Sequence, residues 1–185
     1  MARKNPPCDE CGQVPRYSII DAYRYEDSGL DNVYLQDVEA ITCECGSRVV
    51  IRAVPTLLRI ITTCFAYKPG RLRGKEIRFI RHVIGSQSKE FAEVISVTPE
   101  HLSRLENSNK PISPPLDKLV RARIILDLVT VHKELARGFD LRRFQEVVSK
   151  TIPEKNHLSL YVKYQGPYIG AEEDGQIQFE FKKAA

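Results

Sequence analysis

Residues 74–107 read GKEIRFIRHVIGSQSKEFAEVISVTPEHLSRLEN, and the rest of the chain is organised around them. Apolar residues recur here at helical spacing, in three short sets separated by turn material. The first set, Gly74 to Ile84, presents Ile77, Ile80 and Ile84 on one side, and Gly85 stands where a C-cap glycine ends a helix. The second, about Ser88 to Ile95, presents Phe91, Ala92 and Ile95. Ser96-Val97 is the turn, with Val97 pointing inward. The third starts with Thr98 as N-cap and Pro99 at the first helical position, then buries Leu102 and Leu105. Its other face shows Glu100, Ser103, Arg104 and Asn107, all polar and none bulky.

The second and third helices have the length and spacing of a helix-turn-helix, and a short polar face suits a helix that enters a major groove. Charge agrees. Residues 1–67 hold 7 Lys/Arg against 9 Asp/Glu, residues 68–132 hold 12 against 7, and residues 133–185 hold 9 against 8. The net charges are −2, +5 and +1, so attraction to phosphate is expected on the middle third. Lys68, Arg71, Arg73, Lys75 and Arg78 form a basic cluster leading into the first helix, expected to lie along phosphate.

Upstream, Cys8-Asp-Glu-Cys11-Gly12 is a C-x-x-C-G knuckle, and Cys43-Glu-Cys45-Gly46 follows. Four thiolates converging on one ion make a closed structural zinc site. The second pair is C-x-C; in an extended segment residues i and i+2 project to one side, so Cys43 and Cys45 share an ion. The alternative is four free thiols in a reducing compartment. Tyr17 to Tyr25, Val33 to Ile41 and Arg48 to Val54 read as three strands, the first two a hairpin. Strands this poor in apolar residues bury little, and zinc is expected to supply the missing stability. Pro55 opens a helix whose face carries Leu57, Leu58, Ile61, Cys64 and Phe65, and Lys68-Pro69-Gly70 ends it. Cys64 is read as a core residue.

The stretch resembles the repressor helix-turn-helix of the Cro/CI (XRE) type over residues 74–125, SRLEN being its most specific part. With the cysteine module and GLDNVYL at 29–35, the chain to about residue 132 resembles the MqsA family, bacterial regulators with a YgiT-type zinc finger before a repressor-like domain. The resemblance implies a pair between Arg81 and Glu106 tying the first helix to the third. It makes Arg104 the base reader, a donor fork suited to guanine O6 and N7. Glu100 either accepts from cytosine N4 or pairs with Arg104 at i,i+4. Asn107, Ser88 and Gln87 match positions that touch phosphate. Two residues depart from the pattern: the order Gln87-Ser88 is reversed, and Ser96 stands where glycine is usual, a strained choice if that position is left-handed.

Downstream, Pro115 begins a helix to about His132 with Leu116, Leu119, Val120, Ile124, Leu128 and Val131 along one side. Its second half is more apolar than the motif's core requires, which predicts a homodimer, unless the C-terminal extension covers it. Beyond it, a helix from Phe139 to Val148 and two strands, Leu158 to Tyr164 and Gln176 to Phe181, form an extension with a hairpin. His157 is read as a surface residue.

The expected fold is α+β, in three parts: a β-rich zinc module with its linking helix (1–69), an all-α helix-turn-helix domain (70–132) and the extension (133–185). The expected protein is a sequence-specific DNA-binding regulator, a repressor, reading double-stranded DNA as a homodimer with residues 98–107. Its readers are Arg104, Glu100, Ser103, Pro99, Asn107, Ser88, Gln87, Arg73 and Lys75, and its structural zinc is held by Cys8, Cys11, Cys43 and Cys45. The alternative is an antitoxin whose zinc module binds a toxin protein and which represses its own operon. No nucleophile with a base, carboxylate pair or phosphate loop is visible, so no enzyme is expected. With no h-region at the N-terminus and no apolar run near the ~20 residues a span needs, a cytoplasmic, nucleoid-associated protein is expected.

Overall fold

The computed structural model describes residues 7–51, 53–150, 158–165 and 176–183. Strand β2 (Val33–Cys43) is the spine of a five-stranded sheet. Along one edge runs β1 (Arg16–Arg24), antiparallel, from Arg16 opposite Thr42 to Arg24 opposite Tyr34. A single 3-10 turn, Glu26–Ser28, and Gly29 at φ 70 close the hairpin between them. The other edge of β2 is divided. Its C-terminal half pairs antiparallel with β3 (Gly46–Val50), and its first three residues pair parallel with β4 (Leu158–Gln165), Val33 facing Leu160. Strand β5 (Gln176–Lys183) then pairs antiparallel with β4.

β2 changes its buried face midway. Val33 and Leu35 are buried, then Val38 and Ala40. Between them Asp37 takes φ 53, left-handed backbone that Asp tolerates better than most residues, and its carboxylate pairs with Lys163 of β4.

Among the described residues, seven helical segments make up the middle of the chain: α1 (Val54–Ala66), α2 (Gly74–Ile84), α3 (Ser88–Val94), α4 (Pro99–Glu106), α5 (Pro114–Val131), the single-turn α6 (Lys133–Ala136) and α7 (Leu141–Ser149). The linking helix α1 packs into the helical body, against α5 and α2, and buries Leu57, Ile60, Ile61, Cys64 and Phe65. Cys64 is core, as expected. No helix among the described residues is long and apolar enough to cross a membrane.

The mixed α+β class agrees with the sequence. The parts are joined differently from the expectation. Leu160 and Val162 of β4 are fully buried and enter one apolar cluster with Val33, Leu35, Phe65, Ile77, Ile80, Phe91 and Leu102. The C-terminal hairpin therefore completes the N-terminal sheet and supplies the apolar cover that the three N-terminal strands lack. The aromatic chains of the extension seal the join. Tyr67 stacks near Phe139 and Phe179, with centroids 4.9 and 5.5 Å apart, and Phe139 near Phe144 at 5.8 Å. The Arg143 guanidinium lies over the Tyr67 and Phe179 rings, 5.2 and 4.7 Å from their centroids. The turn expected between β4 and β5 and His157 lie outside the described residues, as does Arg52 in the expected third strand.

Polar groups fix the helices to the linker. Arg121 is 2% exposed and donates to the carbonyls of Ala66, Lys68 and Gly70. It also binds Asp117, which accepts from the Leu72 backbone N–H. These bonds leave no buried charge unpaired in that corner.

Candidate nucleic-acid interface and metal centre

Helices α3 and α4 are joined by the turn the sequence suggests. Phe91, Ala92, Ile95 and Leu102 are buried, and Val97 packs partly against them. Ser96 has φ 58, so it occupies a left-handed position without being glycine. Such a residue stores strain that the surrounding packing must hold. Thr98 caps α4, its hydroxyl accepting from the His101 backbone N–H at 3.2 Å, and Pro99 stands at the start of the helix.

α2 holds α4 at two points. The Arg81 guanidinium donates Nε to Glu106 Oε1 at 2.7 Å and Nη2 to Glu106 Oε2 at 2.9 Å. This bidentate fork is largely shielded, the two side chains being 12% and 8% exposed. Arg81 also donates to the Ser86 carbonyl, which ties in the turn before α3. At the other end of α2, Gly74 lies against the carbonyls of Leu105 and Ser108. In the sequence this glycine marks only a helix start; a close approach between helices has no signature in a single sequence.

On the outer face of α4, Pro99, Glu100, Ser103, Arg104 and Asn107 are all exposed. Arg104 Nε donates to the Glu100 backbone carbonyl at 3.4 Å. The Glu100 carboxyl is held below the usual carboxylate range by its own backbone N–H and the Thr98 hydroxyl, with the Arg104 charge the smallest contribution. Glu100 is thus turned towards the helix start. Asn107 Nδ2 donates to the Ser103 carbonyl. Gln87 is exposed at the N-cap of α3 and makes no side-chain cap bond, and Ser88 is half-buried beside it.

The basic cluster is dispersed. Lys68 is buried, with Nζ 2.7 Å from both carboxylate oxygens of Glu76, so it does not lie along a phosphate track. The sequence lacks any local sign of this pairing, since the two residues lie on different elements. Arg71 and Arg73 donate to the carbonyls of Ile112 and Asn109 and pin the 108–113 loop beside α2. Lys75 faces Asp31 at 3.9 Å, and Arg78 is exposed.

The four N-terminal cysteines meet at one place. All their Sγ atoms lie within 4.8 Å of one another. Cys8 is 3.6 Å from Cys43 and from Cys45, and Cys43 is 2.8 Å from Cys45. Sulfurs at 2.3 Å from a tetrahedral zinc stand about 3.8 Å apart, so the Cys8 spacings fit and the Cys43–Cys45 pair must open. The knuckle turns as expected: the Cys8 carbonyl accepts from Gly12 N–H, and Gly12 has φ 69. The C-x-C pair converges by a different route from the one expected. Cys43 ends β2 opposite Gly46, and Cys45 sits in the two-residue turn between β2 and β3. A tight turn, and not strand alternation, brings the two sulfurs together. The Cys8 thiol is lowered to about 7, chiefly by the backbone N–H groups of Cys11 and Glu10, which favour the thiolate. Cys45 is pushed up, first by its hydrogen bond to Cys43.

A cavity of about 260 Å³ opens beside the cluster, lined by Cys8, Cys43, Cys45, Tyr17, Ile41 and Arg48 among others. Near it Val14, Tyr17 and Ile19 are 68%, 48% and 57% exposed. Four thiolates would close the coordination sphere of a zinc ion and leave no position for a reacting water. Compared with protein-family models, with curated proteins and with solved structures, the chain matches none.

Proposed function

We propose that the protein is a sequence-specific DNA-binding regulator, a repressor, that sets α4 in the major groove. The observation that carries this reading is the α3–Ser96–α4 unit, clamped from behind by Arg81 and Glu106 while Glu100, Ser103, Arg104 and Asn107 stay exposed. A reading helix has to be held rigidly with its outer side chains exposed; the Arg81–Glu106 fork and the exposure of these four residues support that role, Arg104 and Asn107 donating to carbonyls of their own helix. Arg104 reads a guanine, Glu100 and Ser103 adjoin it, and Asn107, Gln87 and Ser88 lie along phosphate. Zinc, held by Cys8, Cys11, Cys43 and Cys45, is structural. The resemblance to the MqsA family supports the same assignment, and a cytoplasmic, nucleoid-associated protein follows from it.

The DNA-bound form is a homodimer built on α5. Leu119, Leu126 and Val129 are 40%, 54% and 47% exposed and, with Ala122, run along one stripe at three- and four-residue spacing. Among the described residues, the extension does not bury this stripe. Sedimentation at micromolar concentration tests the claim: a dimer is expected for the full chain and a monomer for Leu126→Asp. A clean monomer from the unaltered chain would sink it.

Selection of duplexes from a random pool tests the DNA reading. A recurrent two-fold symmetric site is expected, with half-sites about one helical turn apart. Binding without any sequence preference would refute it. A second reading is favoured by the exposed Val14, Tyr17 and Ile19 beside the metal centre: an antitoxin that docks a toxin protein on that surface. Co-purification of the chain with the product of an adjacent small reading frame, lost on Tyr17→Asp, would support it.

A further inference from the structure

One carboxylate joins the sheet to the helices. Glu76, in the first turn of α2, is 1% exposed. Its Oε1 accepts from Asn32 Nδ2 at 2.9 Å and Lys68 Nζ at 2.7 Å; its Oε2 accepts from Lys68 Nζ at 2.7 Å and the Arg73 backbone N–H at 2.9 Å. The donors come from three segments: the turn entering β2, the linker after α1, and the N-cap of α2. Asn32 is itself 2% exposed. Its amide also donates to the Leu158 carbonyl at 2.9 Å, and its backbone carbonyl accepts from Leu160 N–H at 2.7 Å. A single amide therefore bridges β2, β4 and α2.

The other side of α2 faces the proposed reading helix. Gly74, two residues before Glu76, touches the last carbonyls of α4, and Arg81 grips Glu106. A helix of eleven residues is stiff over this length, so fixing its N-terminus fixes both contacts. β2 runs from Val33, next to Asn32, through the left-handed Asp37 to Cys43 of the cysteine cluster.

We infer that Asn32 is a positioning residue for DNA reading, holding α4 in its working orientation through Glu76 and α2. The sheet then acts as the mount of the reading helix. The inference rests on the DNA-binding reading, and its first test does not depend on DNA.

That test is native-state amide hydrogen exchange on the full chain with Asn32→Ala and Asn32→Asp. Asn32→Asp keeps the shape and replaces the donor with an acceptor facing Glu76. Both should lose protection selectively in α4 and the first turn of α2, tenfold or more, Asp more than Ala, with α1 and α5 unchanged. A uniform loss across all helices, or none, overturns the inference and leaves Asn32 as an ordinary buried amide. If Asn32→Asp does not fold, Asn32→Ala alone decides by the same criterion. In the second test, on a duplex recovered by selection, Asn32→Ala should weaken binding about tenfold while the salt dependence stays that of the unaltered chain, because no phosphate contact is removed. A reduced salt slope, or unchanged affinity, also overturns it. An unaltered chain that binds no duplex refutes the DNA reading, and the exchange result still stands for the link itself.

Discussion

Gly74 lies so close under the end of α4 that a Cβ built on it would stand 1.7 Å from the Leu105 carbonyl oxygen and 2.3 Å from that of Ser108. Both neighbours are backbone and have little room to yield. Gly74→Ala is therefore expected to force α2 and α4 apart and cost on the order of 3 kcal/mol or more. Urea denaturation measures this. A loss below about 1 kcal/mol would mean that the helices separate freely, against the close packing seen here.

Removing Arg81 leaves the Glu106 carboxylate shielded and unpaired, and Arg81→Ala should cost about 3 kcal/mol. Removing both partners avoids the orphaned charge, so Arg81→Ala with Glu106→Ala should cost less than the sum of the single changes. Arg81→Lys cannot reproduce two parallel bonds and should recover only part of the loss. Strict additivity in the double-mutant cycle would show that the pair contributes nothing as a pair.

Arg104 is exposed and donates to the Glu100 backbone carbonyl at 3.4 Å. Arg104→Ala should leave stability within about 0.5 kcal/mol. Discrimination at a single G·C pair of the selected site should fall by about 1–3 kcal/mol. A uniform weakening on every duplex would instead place Arg104 on phosphate.

The cysteine cluster has its own pH dependence. The Cys8 thiol is lowered from 9.0 to about 7 in the folded chain without metal, so between those values folding favours the thiolate. That contribution is present above the unfolded value and lost as pH falls through about 7. With the ion removed by chelator, alkylation of Cys8 should titrate with a midpoint of about 7, while buried Cys64, whose thiol is pushed up by burial, stays unreactive until the chain unfolds. Zinc should be bound at about one equivalent at neutral pH and released on acidification, since protons compete for the thiolates. Substoichiometric zinc after growth in zinc-replete medium would count against the site.

Much of this was legible locally. Helix boundaries around α2, α3 and α4 follow from Gly85, from Thr98-Pro99, and from the spacing of Ile77, Ile80, Phe91 and Leu102. The knuckle Cys8-x-x-Cys11-Gly12 announces its own turn. The motif raises a left-handed Ser96 only as a condition, glycine being usual there, and its φ of 58 meets that condition. Lys68 was misread because a lysine beside four other basic residues looks solvated, and its partner Glu76 sits on a different element. The stripe on α5 was only partly legible. Val120, Ile124 and Leu128 face the core, Leu119 and Val131 face solvent, and one-dimensional periodicity did not separate the two sets.

The sequence by itself determined the local pieces: which residues form helices and strands, where each stops, and which four thiols can meet. Those depend on propensities, caps and spacings within a few residues, and a single chain displays them. The tertiary structure alone decided how the pieces share a core. The parallel pairing of Val33 with Leu160, the bond from Asn32 to Glu76 and the close approach at Gly74 join residues far apart in the chain. Such contacts are fixed by shape and by the need to pair every buried polar group, and neither is written in any one stretch of residues.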